Sequence, residues 1–319
     1  MIGIENLEGT NFRDYLNGDA GDNLLRGNGD NDVLFGGGGN DRLEGGFGDD
    51  TYVLTDFTDT VIDSSGIDTI NSTITRSLAA HATIENLKLI GTDNTNATGN
   101  GLDNTLTGNG GNNVLDGVAG EDTLIGGLGD DTFVLADGSD TVTDTGGIDT
   151  ITTTVSRTIA ANIEIENLIL LGTGGLTGTG NGLGNRITGN AGANALVGAG
   201  GNDTLRGGAA RDVLIGGADN DTFAYLGAAD STPGALRDVI QDFNDAGNDT
   251  IDVSALIAGV MRFRGTSAFT AANQVRLNDV AGANVVVEVN LDANLATVEM
   301  EILLASTDVT TLGAADFIL

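Results

Sequence analysis

A nine-residue frame constrains this chain more than any other feature. From Gly36 to Val53 it reads GGGGNDRLE and then GGFGDDTYV, two units of the form G-G-x-G-x-D-x-U-x with U a large apolar residue. The glycine-rich six residues of a unit suit a tight turn, because glycine enters backbone angles closed to other residues. The last three, such as Arg42, Leu43 and Glu44, suit a short strand whose middle side chain points inward. Two units then close one 18-residue turn of a right-handed roll. Stacked turns set Asp32 beside Asp50, and Asn23 beside Asp41, about 4.8 Å apart on one edge.

The frame persists. Gly18, Gly99 and Gly180 each open a run of units, a spacing of 81 residues (99 minus 18, 180 minus 99). In the first run the sixth positions are Asn23, Asp32, Asp41 and Asp50, and the frame outlives the glycines through Asp59 with Val61 and Asp68 with Ile70. The second run matches with Asn104, Asn113, Asp122, Asp131, Asp140 and Asp149, the third with Asn185, Asn194, Asp203, Asp212 and Asp221. Chance does not keep such a frame, so the fold class expected is all-β: a right-handed parallel β-roll, or β-helix, solenoid. Leu43, Phe133 and Leu205 at position eight are its core.

The stacking decides the chemistry. Two carboxylates at that distance repel by about 1 kcal/mol in water and by about 3 to 4 kcal/mol at an effective dielectric of 20. The chain offers few cations of its own, with 13 Lys and Arg against 46 Asp and Glu. A hard divalent ion takes six to eight oxygens, and aspartates with nearby glycine carbonyls offer oxygen without nitrogen or sulfur, which selects calcium over zinc.

Composition excludes several other classes. A net charge of -33 argues against nucleic acid and against anionic membrane surfaces as partners. With no cysteine there are neither disulfides nor thiolate metal sites. The opening MIGIENLEGT lacks the basic and apolar regions of a Sec-type signal, and no apolar run reaches the length of a membrane span. Neither HExxH nor GxSxG occurs, and His81 is the only histidine, so the expectation is a non-catalytic chain. Threonines recur at position seven, including Thr51, Thr60, Thr69, Thr123, Thr132, Thr141 and Thr150; strand preference accounts for them, with an ice- or polysaccharide-binding hydroxyl array as the sharper alternative.

The organisation expected is a partial module at 1–17, modules at 18–98, 99–179 and 180–225, and a different C-terminal region at 226–319. IENL at Ile4–Leu7 recurs at Ile84–Leu87 and Ile165–Leu168. The β-branched stretches NSTITRSLAAHATIENLKLIGT and TTTVSRTIAANIEIENLILLGT are expected to continue the coil without metal turns. Beyond Tyr225 come the only proline, Pro233, and the strand-like QVRLN, VVVEVNL and ATVEMEILL. These suit a terminal β cap over an otherwise open coil end. Asp238, Asp242, Asp249 and Asp252 are candidate further calcium ligands there.

GGGGNDRLE, GGFGDDTYV, GGLGDDTFV and GGADNDTFA resemble the RTX family of bacterial calcium-binding proteins. RDVIQDFNDAGNDTIDVSAL with AADFIL is similar to the C-terminal part of serralysin-like proteins and polysaccharide epimerases exported by type I systems. The resemblance implies a parallel β-roll with calcium between turns, and export through an uncleaved C-terminal signal by a type I ABC exporter. Carried over by motif position, the side-chain ligands are Asp32, Asp41, Asp50, Asp59, Asp68, Asp122, Asp131, Asp140, Asp149, Asp203, Asp212 and Asp221. Asn23, Asn113 and Asn194 supply weaker, neutral oxygens. The carbonyl ligands implied are Gly27, Gly29, Gly36, Gly37, Gly38, Gly39, Gly45, Gly46 and Gly48, then Gly108, Gly110, Gly111, Gly117, Gly120, Gly126, Gly127 and Gly129, then Gly198, Gly200, Gly201, Gly207, Gly208, Gly216 and Gly217. Ala210 and Asp219 depart from the pattern at position four. The resemblance points to a secreted calcium-binding protein that folds outside the cell. Alternatives are the repeat half of a secreted serralysin-like protease or alginate epimerase, or a surface-layer or adhesin segment with polysaccharide or cell surface as partner.

Overall fold

The computed structural model describes residues 5–243, 248–280 and 284–319. Ile4, which starts the first IENL, and residues 244–247 of the C-terminal motif lie outside that set. The chain is an all-β parallel roll of short strands, and it divides into two compact units, Met1–Ile151 and Thr152–Leu319.

In the first unit the nine-residue frame becomes strand register. Asn6–Glu8, Leu24–Gly29, Arg42–Phe47 and Thr60–Ile62 form one parallel sheet, with Leu24 opposite Arg42 and Arg42 opposite Thr60. A second, eight-stranded sheet takes the alternate units, from Tyr15–Asn17 through Val33–Phe35 and Thr51–Leu54 to Thr141–Thr143. Partners are 18 residues apart where the repeat is regular, as in Val33 opposite Thr51. The glycine-poor stretch keeps the ladder with altered offsets: Asn86 lies opposite Thr69 and Thr105, and Ala97 opposite Arg76. That stretch continues the coil, as its β-branched sequence predicts.

Position eight builds the core. Leu25, Leu34, Leu43, Tyr52, Leu106, Leu115, Leu124 and Phe133 are fully buried, one per strand, because alternate side chains face opposite sides of a strand.

The second unit repeats this with Ile187, Leu196, Leu205, Leu214 and Phe223. Its sheet is parallel from Thr177–Thr179 to Asp238–Ile240 and on to Met300–Leu304, then changes direction. Asn284–Asn290 pairs antiparallel with both Met300–Leu304 and Gln274–Val280. The strand of AADFIL, Phe317–Ile318, pairs with Thr250–Asp252. Residues from the cap thus add to the strands that the last repeats would leave unpaired, which is the cap expected from the sequence. Among the described residues no helix is long and apolar enough to cross a membrane.

Candidate metal centre

The sixth-position aspartates stand at the mouth of each strand, and each side chain has two distinct environments. One oxygen is accounted for by the backbone. Asp50 Oδ1 accepts the N–H of Asp32 at 2.7 Å, Asp41 Oδ1 that of Asn23 at 2.8 Å, and Asp122 Oδ1 that of Asn104 at 2.8 Å. The same bond joins Asn113 to Asp131, Asn185 to Asp203 and Asn194 to Asp212. A backbone N–H, not a cation, is therefore the first group between stacked carboxylates, a partner that counting charges did not reveal.

The second oxygen has none. Oδ2 of Asp32, Asp41, Asp50, Asp68, Asp122, Asp131, Asp203, Asp212 and Asp221 is buried without a hydrogen-bond partner. A carboxylate in that state costs several kcal/mol unless protonated or matched by positive charge. Burial pushes Asp50, Asp122, Asp131, Asp212 and Asp221 up to about 6, Asp203 to about 7 and Asp68 to about 8. The backbone N–H offsets part of the effect.

What Oδ2 faces is a space made by the first glycine of its own unit. A Cβ on Gly27 would stand 2.1 Å from Asp32 Oδ2 and 2.6 Å from the carbonyl oxygen of Gly45, one turn on. At Gly198 the corresponding distances are 2.1 Å to Asp203 Oδ2 and 2.4 Å to Gly216 O. Carboxylate and carbonyl oxygens thus converge from neighbouring turns with no donor between them. An unpartnered anion, a neutral oxygen and a space too small for a methyl group fit a hard cation and nothing softer. The second and fourth positions serve the turn itself: Gly37 has φ +101° and Gly39 φ +115°. Asn28, Asp30, Val118, Ala199, Ala210 and Asp219 hold the same left-handed geometry without being glycine.

Six-residue turns with this cradle match one family model. The RTX calcium-binding nonapeptide repeat matches at residues 2–34, 17–52, 98–133, 179–213, 188–223 and 197–230. The chain belongs to the RTX calcium-binding repeat family. A comparison with curated proteins gives no significant match. Among solved structures, one similar chain is the solution structure of the AlgE6R3 subunit from the Azotobacter vinelandii mannuronan C5-epimerase. It is 30% identical, with 46% of this chain and 80% of that one covered, at a TM-score of 0.36.

Not every residue marked by RTX motif position has the full cradle. Leu54 and Leu135 stand where the first glycine of their units would be, so Asp59 and Asp140 lack it. The sixth-position asparagines are engaged by the protein. Asn113 Oδ1 accepts the N–H of Asn109, while its Nδ2 donates to Thr95 O at 2.6 Å and to Asn109 Oδ1 at 3.1 Å. Asn194 repeats the pattern with Asn190 and Leu176, and Asn104 and Asn185 donate to main-chain carbonyls before their runs. Asn23 Oδ1 accepts the N–H of Asp19. An amide here joins a glycine-rich turn to a carbonyl of a turn that lacks the motif.

The ladder also takes in acids outside the nine-residue frame, among them Asp238 and Asp249, two of the candidate ligands read in the C-terminal region. Glu85 takes the ladder place above Asp68, accepting its N–H at 2.9 Å, while Asp238 and Asp249 do so for Asp212 and Asp221. Asp63 joins Asp50 and Asp68, and Asp144 joins Asp131 and Asp149, with one ligand oxygen per residue all within 4.8 Å of one another. Asp63 and Asp144 occupy position one, where the pattern calls for glycine; their identical 81-residue spacing was the available signal (144 minus 63).

Proposed function

We propose that this chain is an extracellular, non-catalytic RTX protein whose β-roll folds when calcium fills the glycine cradles after export by a type I system. The observation that carries the reading is the repeated buried and unpartnered Oδ2, which at Asp32 and Asp203 also faces a first-glycine carbonyl from the next turn. Asp32, Asp41, Asp50, Asp122, Asp131, Asp203, Asp212 and Asp221 hold the ions, joined at Asp32 and Asp203 by the carbonyls of Gly45 and Gly216. The ion supplies positive charge between oxygens that otherwise repel, and the residues supply orientation and burial. Extracellular modules of this kind bind at about 0.1 to 1 mM. The roll then stays loose where calcium is scarce and forms where it is plentiful, since a site absent from the unfolded chain turns binding energy into folding energy. At calcium 100 times the dissociation constant, each independent site adds about 2.7 kcal/mol. Residues 226–319 act as the cap and as the export region.

Far-ultraviolet circular dichroism of the whole chain tests the core of this reading. A β spectrum is expected with calcium, and its loss with excess chelator; a spectrum indifferent to chelation sinks the proposal. Grafting residues 226–319 onto a passenger tests export separately, and no secretion through a type I exporter would remove that part.

A further inference from the structure

The two glycine-rich runs of the first unit do not end as they begin. After Gly18, Gly27, Gly36 and Gly45 the next hydrophilic first position is Asp63, and after Gly99, Gly108, Gly117 and Gly126 it is Asp144. We propose that Asp50–Asp63–Asp68 and Asp131–Asp144–Asp149 are two closing sites, each holding one hard divalent cation through three carboxylates, more tightly than the carboxylate-and-carbonyl sites of the regular repeat. The proposal rests on the calcium reading above only for the kind of ion.

Geometry separates these clusters from ordinary surface acids. Asp50 and Asp131 are 1% exposed and Asp68 is fully buried, and the Oδ2 atoms of all three lack a hydrogen-bond partner. In the second cluster Asp131 Oδ2 and Asp144 Oδ1 lie 2.4 and 2.2 Å from the point where a Cβ on Gly126 would stand, so both are aimed into one space. A regular cradle offers a glycine carbonyl there; here the same place receives a full negative charge. Opposite charges in a partly buried site attract several-fold more strongly than in water, so a third carboxylate raises affinity for a divalent ion.

The copies differ in one respect that makes them separately observable. Tyr52 Oη donates to Asp63 Oδ1 at 2.8 Å. Phe133 stands at the matching place in the second copy, where Asp144 instead accepts main-chain N–H groups from Gly127 at 3.1 Å and Gly146 at 2.7 Å. A luminescent ion in the first site is therefore in contact range of a tyrosine, and one in the second is not.

The test is terbium(III) luminescence excited through tyrosine, on the whole chain, with calcium competition. The intact protein should give saturable emission, and Tyr52→Phe should remove the part of it that Tyr225, beside Asp212 and Asp238, does not supply. Asp63→Asn keeps the tyrosine and removes one charged ligand, so half-saturation should move at least about tenfold upward. Asp63→Gly, which restores the residue of the regular repeat, should do the same. Asp144→Asn should leave this emission in place and weaken one calcium site in equilibrium dialysis by a similar factor. At calcium of about 10 mM, an order above the range of extracellular modules, all variants should keep the β spectrum of the parent. Half-saturation unchanged in both Asp63 variants, or emission unaffected by Tyr52→Phe, overturns the proposal. If calcium still folds the chain while those outcomes occur, the closing sites fail and the calcium reading stands; if calcium has no effect on folding, the broader reading fails first.

Discussion

Replacing Gly36 by alanine isolates the cradle from every other demand the turn makes on glycine. Gly36 is not among the residues with left-handed φ, so alanine meets no backbone penalty there. Its Cβ would nonetheless stand 2.1 Å from Asp41 Oδ2, 2.6 Å from Cγ and 2.7 Å from Cβ. Comfortable contacts between heavy atoms lie at roughly 3.5 Å, so the Asp41 carboxylate has to retreat by about 1 Å or more. Two costs follow. Its Oδ1 loses or stretches the bond from the Asn23 N–H, now 2.8 Å, and a hydrogen bond to a charged group contributes about 1.5 to 3 kcal/mol. Crowding a packed site adds about 1 to 3 kcal/mol. Stability at saturating calcium should fall by about 3 kcal/mol or more, two decades in the folding equilibrium. Gly110→Ala is the control, because a Cβ there meets nothing within 4 Å and its φ is ordinary. It should stay within about 0.5 kcal/mol of the parent. Urea unfolding followed by circular dichroism reads both. Equal stability for the two variants would refute the cradle, since it would mean that the missing Cβ makes no room that the carboxylate needs.

Acidity should act in opposite directions with and without calcium. Without the ion, Asp50, Asp122 and Asp131 titrate near 6 and Asp68 near 8 in the folded chain, above the roughly 3.9 of an unfolded aspartate. Raised pKa values mean that the folded state binds more protons, so in chelator stability is greatest near pH 4 and declines as the pH rises through these values to about 8. Saturating calcium reverses the trend, because the ion needs the ionised carboxylates; chelated protein that gains β signal from pH 4 to 8 would contradict the burial of Oδ2. Val118→Gly should stabilise the chain by about 0.5 to 1 kcal/mol. Val118 holds φ +75°, a conformation that costs a β-branched residue about 1 to 2 kcal/mol, and it is 44% exposed, so little packing is lost. A lower urea midpoint for this variant would show that the turn tolerates valine without strain.

The nine-residue frame made the strands, their register and the buried position-eight residues legible before any coordinates. It did so because one parallel rung fixes the offset of the next, as Leu24 opposite Arg42 and Val33 opposite Thr51 show. The frame also located the carboxylates whose Oδ2 lacks a partner. It was silent where the offset slips. Glu85, Asp238 and Asp249 join the aspartate ladder at separations of 17, 26 and 28 residues, set by intervening loops that no fixed period describes. Sequence also assigns the first glycine to turn geometry, as it does the second and fourth. Only the coordinates separate the two demands: Gly36 needs the absence of a side chain without a left-handed φ, whereas Gly37 and Gly39 need both, since a Cβ there would stand 2.1 Å from Asp19 O and 2.7 Å from Gly21 O.

That separation explains why the position-one and position-six substitutions cluster at the ends of each run rather than being scattered. A cradle needs an Oδ2 from its own turn and an oxygen from the next, so it can repeat only while both neighbours follow the motif. Where a run begins, the turn before it presents a main-chain carbonyl with no cation to meet it, and a carboxylate there would face a second oxygen. Asparagine meets that carbonyl with an N–H, as Asn104 does toward Glu85 O at 3.0 Å and Asn185 toward Ile165 O at 3.1 Å. Where a run ends, the turn beyond offers no first-position glycine, and its acid instead takes main-chain N–H groups of the last cradle. Asp144 Oδ1 accepts from Gly127, and Asp242 accepts from Gly216 at 3.0 Å and Gly217 at 2.9 Å in the second unit. Asparagine at the entry and aspartate at the exit are thus opposite answers to one constraint: each boundary turn must replace the oxygen or the charge that a missing neighbour would have supplied.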